Sequence, residues 1–208
     1  MNITQQTIDE FMDNLASKAA TPGGGSAAAV MGAMAAGLIS MAANLTIGKK
    51  NYASVETQMQ DLLNKSENLK ITLLDMIRAD IEAFDLVMSA YKLPKATIDE
   101  TNNRNQAIQV ALKTATDVPL QCAEACRSVI QLSQLAAQIG NKNVVSDAGV
   151  AVLAAQAALR SAALNVYINI GNIEDQDFTK SREKKLNLLL EGADKQTEEI
   201  YQLVKSKL

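Results

Sequence analysis

Three glycines and a serine, Gly23-Gly24-Gly25-Ser26, follow Thr21-Pro22 and open a long uncharged run. A turn of this kind at a helix entrance exposes backbone N–H groups to an acceptor, and its glycines let a ligand approach closely. No strand pattern precedes it and no Gly-Lys-Ser or Gly-Lys-Thr follows, so it is neither a P-loop nor a dinucleotide fingerprint. Contact with an anion and tight helix packing both account for it. At the far end of the same run, Gly48 is followed by Lys49 and Lys50, then Tyr52. The lysines either meet a ligand or simply favour a helix carboxyl terminus. Tyr52 either orients an aromatic ligand or covers the core.

Asp80 is the strongest single candidate for proton chemistry. It falls on an apolar three/four stripe between Met76 and Ala83, whereas Asp75, Arg78, Glu82 and Asp85 share another side. A carboxylate turned inward costs free energy unless it is paired or hydrogen bonded. It is therefore either a structural partner or a base and counter-ion facing an internal pocket. Asn141, Asn143, Ser146 and Asp147 form a second polar group, with Ser161 and Asn165 further along the same pattern. Capping and an exposed stripe would explain them. Alternatively, Asp147 and Asn165 hydrogen bond to a heterocycle while Ser146 holds a water, at a polar entrance that includes Asn143.

The missing residue types narrow the chemistry. Histidine is absent, so an imidazole base is excluded. Cys122 and Cys126 stand four apart in a helical pattern and are expected to be free core thiols. No run has the ligand spacing of a zinc or calcium site, and no metal is expected. A formal charge of -3 without a basic block gives nucleic acid or an anionic membrane little to grip. Asp9, Glu10 and Asp13 interrupt any amino-terminal signal pattern, so a cytoplasmic location is expected.

These groups need rigid elements, and the pattern supplies helices throughout. Residues 1–208 are expected to form a single-domain, all-α bundle of about six helices. Thr7-Ile8-Asp9-Glu10 and Thr97-Ile98-Asp99-Glu100 have the spacing of capping boxes. The first opens a helix to near Ala20; Ser26 is the expected cap of the second, which runs to about Ile47. Its Gly32, Ala33, Ala35, Ala36 and Gly37 invite close neighbours. The uncharged stretch Ala19 to Gly48 is poor in strong hydrophobes and suits a core helix better than a membrane span. A long third helix, Ser54 to Tyr91, would extend roughly 57 Å. The fourth contains Pro119 and should kink or divide there. A fifth covers Val145 to Ile170, and a sixth runs from about Asp177 to Lys207.

Taken together, Thr21 to Ala28, Leu45 to Tyr52, Asp80 with Ala83-Phe84, and Gly140 to Asp147 resemble the formiminotetrahydrofolate cyclodeaminase/methenyltetrahydrofolate cyclohydrolase family. The similarity covers nearly the whole chain. It implies an all-helical, dimeric folate enzyme without a metal or redox cofactor, with family motifs at Gly24, Ser26, Lys49, Asp80, Ser146 and Asp147. The implied reaction is hydrolysis of 5,10-methenyltetrahydrofolate to 10-formyltetrahydrofolate. The alternatives are cyclodeamination of 5-formiminotetrahydrofolate and a non-enzymatic folate-binding or scaffold role. In the implied site Asp80 stabilises the amidinium and takes a proton, with help from Lys49 or Ser146. Gly24, Gly25 and Lys49 would engage the glutamate carboxylate of the substrate.

Overall fold

The computed structural model describes residues 3–208, and among them every regular element is helical. Seven α-helices follow in order: α1 (Ile8–Leu15), α2 (Gly24–Asn44), α3 (Glu56–Tyr91), α4 (Ile98–Ile139), α5 (Val145–Ile170), α6 (Gln176–Leu190) and α7 (Ala193–Lys205). Three short 3-10 turns, Ile3–Gln5, Lys50–Val55 and Lys142–Val144, link or precede them.

Local signals explain most boundaries. Thr7 and Thr97 both form reciprocal capping boxes with Glu10 and Glu100, starting α1 and α4 where the sequence places them. Helix α1 stops at Leu15, short of Ala20, and carries no buried residue to hold it longer. Gly23, not Ser26, is the residue that caps α2, which ends at Asn44 before Gly48 turns at positive φ. Helix α4 continues through Pro119 without division. The last expected helix is split into α6 and α7 because Gly192 adopts a left-handed conformation between them.

Small side chains set the packing. Helices α2, α3, α4 and α5 form a four-membered bundle, and α6 and α7 lie against the α4 and α5 side. Ala28, Ala35, Ala36 and Ala43 of α2 and Ala148, Ala151, Ala155, Ala158 and Ala162 of α5 are fully buried. With so little bulk between them, the two axes can approach closely. A Cβ added at Gly32 would lie 2.9 Å from Cys126 Sγ and 3.0 Å from Leu73 Cδ2, so α2 needs glycine there. Cys122 and Cys126 are free and buried. The hydrogen bond with Cys122, together with burial, pushes the Cys126 thiol well above its ordinary value.

Helix α2 and the segment Lys142–Ile170 are long and apolar enough to span a bilayer by length and composition. In the bundle, 61% of the α2 window is buried against other helices. Ser40 and Ser66 hydrogen bond across the α2–α3 contact at 2.8 Å, so the polar member of the α3 stripe is satisfied.

The two central helices run antiparallel. Near one end, the first turn of α2 meets Asn165 late in α5. At the other, Asn141 before α5 donates through Nδ2 to the Leu45 carbonyl and through its backbone N–H to Thr46 Oγ1. Two separate polar clusters therefore lie about 30 Å apart along α2, the length of its 21 residues.

Candidate active site

The first cluster surrounds Asp80. Ser26 Oγ donates to Asp80 Oδ2 at 2.8 Å, and the Ser26 backbone N–H adds a second bond. Ser26 thus holds the carboxylate at the opening of α2. The glycine before it is dictated by space: a Cβ on Gly25 would sit 2.0 Å from Asp80 Oδ1. Gly24 is less constrained, since a Cβ there would meet nothing nearer than Asn165 at 3.9 Å.

Asp80 is half-buried, and desolvation raises its pKa above the usual carboxylate value. The two Ser26 hydrogen bonds oppose this without reversing it. No lysine or arginine among the described residues pairs with it. A structural ion pair is therefore not why this acid turns inward.

In front of the carboxylate lies a cavity of about 380 Å³. The glycine turn and Asp80 form its polar floor, while Phe84, Val87, Tyr91, Leu112 and Ile168 supply apolar walls. Asn165 and Asn169, one turn apart on α5, and Asn172 in the turn that follows this helix line another side. Size and mixed lining suit a flat, polar heterocycle. Because no lysine or arginine lines it, the cavity favours a positive or proton-donating group over an anion.

Of the sequence candidates, Gly24, Gly25, Ser26, Asp80 and Asn165 meet here. Lys49, Tyr52, Asn143, Ser146 and Asp147 belong to the second cluster at the opposite end of α2 and α5. There Tyr52 Oη accepts from the Lys142 backbone N–H at 2.9 Å. Asn141, rather than Asn143 or Ser146, provides the local cap, accepting from the Asn143 N–H at 3.1 Å. Lys49 and Ser146 are exposed. Within one chain, Lys49 cannot share a carboxylate with Gly24 and Gly25, nor can Asp147 share a ring edge with Asn165. The sequence pattern put Asp147 and Asn165 on one helix face, but 18 residues along α5 separate them by roughly 27 Å.

Asn169 and Asn172 were not among the candidates, although their spacing from Asn165 was visible as a polar i, i+4, i+7 series. Nothing in the pattern separates such a series from an exposed one. Among the described residues, no group of three or more acidic or cysteine side chains could hold a metal ion.

A family model described as formiminotransferase-cyclodeaminase matches residues 7–188. The chain belongs to this family. It is 57% identical over 203 residues to a methenyltetrahydrofolate cyclohydrolase from Methylorubrum extorquens, covering 98% of each protein. It is also 31% identical over 192 residues to a formimidoyltransferase-cyclodeaminase from Rattus norvegicus; the match covers 92% of this chain but only 36% of that protein. A formiminotetrahydrofolate cyclodeaminase from Thermotoga maritima has a similar structure, with a TM-score of 0.83 and 34% identity, covering 99% of this chain and 97% of that one. The arrangement of helices is therefore that of the family along the whole chain.

Proposed function

We propose that this family member hydrolyses 5,10-methenyltetrahydrofolate to 10-formyltetrahydrofolate in the cytoplasm. The observation that carries the reading is full-length similarity to a methenyltetrahydrofolate cyclohydrolase, combined with a half-buried carboxylate that has no cationic partner in a cavity lined by no lysine or arginine.

The substrate contains an electrophilic carbon in a positive amidinium. Asp80 stabilises that charge and orients water against the carbon. As the oxygen–carbon bond forms, a water proton passes to Asp80. The bond from this carbon to N5 then breaks and N5 takes up the proton. Loss of the remaining hydroxyl proton leaves a formyl group on N10. Cation and water thus become 10-formyltetrahydrofolate and one proton. Desolvation brings the Asp80 proton affinity closer to that needed for exchange near neutral pH. The first-turn N–H groups of α2 are fixed dipoles beside the same oxygens.

Lys49, Ser146 and Asp147 enter this scheme through a second copy of the chain. Helices α2 and α5 together expose an apolar stripe that includes Met34 (63% exposed), Met41, Leu45, Val150, Leu153, Leu164 (69%) and Ile168 (68%). Large apolar side chains left exposed on two neighbouring helices support a contact face here. Two copies related by a twofold axis across this face would each lay one end of the α2–α5 pair over the other end of its partner. Lys49 and Asp147 of one copy would then complete the Asp80 cavity of the other, and the lysine would offer the glutamate tail the cation that the cavity lacks.

Cyclodeamination is the second reading, favoured by the likeness to the Thermotoga maritima cyclodeaminase. There N10 attacks the N5-formimino carbon and ammonia leaves, and the same cavity must control a tetrahedral carbon. Parallel optical assays with methenyl- and formiminotetrahydrofolate distinguish the two. Loss of methenyl absorbance supports hydrolysis; its appearance from the formimino substrate, with ammonia release, supports deamination. Folate binding without turnover of either would overturn both.

A further inference from the structure

Pro119 leaves a gap in α4. It has no N–H, so the Ala115 carbonyl one turn earlier loses its helical donor. Asn169 fills the gap from the neighbouring helix: its Nδ2 donates to the Ala115 oxygen at 2.7 Å. Ala115, Pro119 and Asn169 all line the cavity in front of Asp80. A carbonyl accepts only from the nitrogen end of an amide, so this bond fixes which way the Asn169 side chain faces. Its Oδ1 is turned away from Ala115, and nothing among the described residues donates to it.

The same tethering recurs on either side. Asn165 Nδ2 donates to the Ser161 carbonyl at 2.9 Å and Asn172 Nδ2 to the Ile168 carbonyl at 3.0 Å. Each tether uses one of the two N–H groups on its nitrogen and turns the amide oxygen away from the tethering carbonyl, so this wall of the cavity offers hydrogen-bond acceptors beside the remaining N–H groups. The floor opposite adds the Asp80 carboxylate. A ligand matched to such a lining presents N–H donors along one edge, as the aminopyrimidinone ring of a tetrahydrofolate does through its amino group and ring N–H.

We propose that Asn169 is a specificity-determining residue that accepts a hydrogen bond from the N–H edge of the substrate ring, and that Pro119 sets its orientation by leaving the Ala115 carbonyl for it to cap. The inference rests on the folate reading above and assigns Asn169 to ring recognition, not proton transfer. It also gives Pro119 a purpose inside a helix, where its missing donor would otherwise be a pure loss.

Two variants separate reading the ring from merely closing the gap. Asn169→Ala removes both the tether and the acceptor. Combining it with Pro119→Ala restores a backbone N–H for the Ala115 carbonyl, so only the acceptor is then missing. Asn169→Ala is expected to raise KM for methenyltetrahydrofolate about tenfold, with kcat within about threefold of wild type, and to lower Tm. In the double variant Tm should recover, while KM stays about tenfold above that of wild type. Recovery of KM together with Tm would show that Asn169 only closes the gap, and the proposal would fall. An unchanged KM in Asn169→Ala, or a loss confined to kcat, would also overturn it. If Asn169→Ala does not fold, the double variant still gives the KM comparison. Absence of wild-type turnover would instead sink the folate reading and this inference with it, whereas normal wild-type turnover with unaltered KM in both variants would sink only the role of Asn169.

Discussion

Replacing Gly25 with alanine should uncouple folding from turnover. The added Cβ would lie 2.0 Å from Asp80 Oδ1 and 2.6 Å from its Cγ. To regain an ordinary contact near 3.4 Å the carboxylate must retreat by about 1.4 Å. That displacement breaks the 2.8 Å bond from Ser26 Oγ and moves the proposed base off the reacting carbon. A misplacement of about 1 Å costs on the order of 100-fold in a positioned reaction. The fold should survive, because Asp80 can move into the cavity before it and alanine is a better helix former than glycine by up to about 1 kcal/mol. Loss of methenyl absorbance, measured alongside a thermal melt, tests both halves. A roughly 100-fold fall in kcat with a Tm near wild type is expected, and Gly24→Ala, which lacks the clash, should cost much less. A folded Gly25→Ala variant with turnover within about threefold of wild type would refute the requirement for this Asp80 position.

Three further outcomes follow from the same geometry. The raised pKa of Asp80 means that its contribution to stability is fully present below the unfolded-state value and is lost as pH rises through the folded-state value. Relative to the non-titrating Asp80→Asn, wild type should therefore lose stability across that window, which denaturant titrations at stepped pH would detect; a wild type that instead gains stability relative to Asp80→Asn as pH rises would contradict the assigned cause. Met34→Asp places a charge in the α2–α5 stripe and should dissociate the proposed dimer and reduce activity together, as read by sedimentation and turnover at matched concentrations; a fully active monomer would remove the composite site. Mixing refolded Lys49→Ala with Asp80→Asn chains should restore about a quarter of wild-type turnover, because half the dimers then carry one intact site. No recovery would remove the site shared between chains, and a Lys49→Ala protein with wild-type turnover would place Lys49 outside the reaction.

The helices and their ends were largely legible in the sequence because their signals are local. Both capping boxes are where their Thr and Glu spacing puts them, and Asp80 sits on the inward stripe that its spacing from Met76 and Ala83 defines. The division at Gly192 was obscured because the apolar series continues from Leu190 to Ala193 across it, with both residues packed against the same core. Ser26 looked like a cap because its identity suits one; its hydroxyl instead reaches 54 residues along the chain to Asp80. Periodicity also merged Asp147 with Asn165, since a helical pattern reports the face of a residue and not its distance along the axis. Whether the α2–α5 stripe faces a core or a second chain was likewise hidden, because small apolar residues serve both.

The central claim is that the Asp80 carboxylate performs hydrolysis at the methenyl carbon. Its most direct test is the single-turnover rate of methenyltetrahydrofolate loss on wild type and on Asp80→Asn, with folding and ligand binding verified for each. A fall of about 100-fold to 10,000-fold in a folded variant that still binds substrate is expected. Equal rates for the two proteins would contradict the assignment.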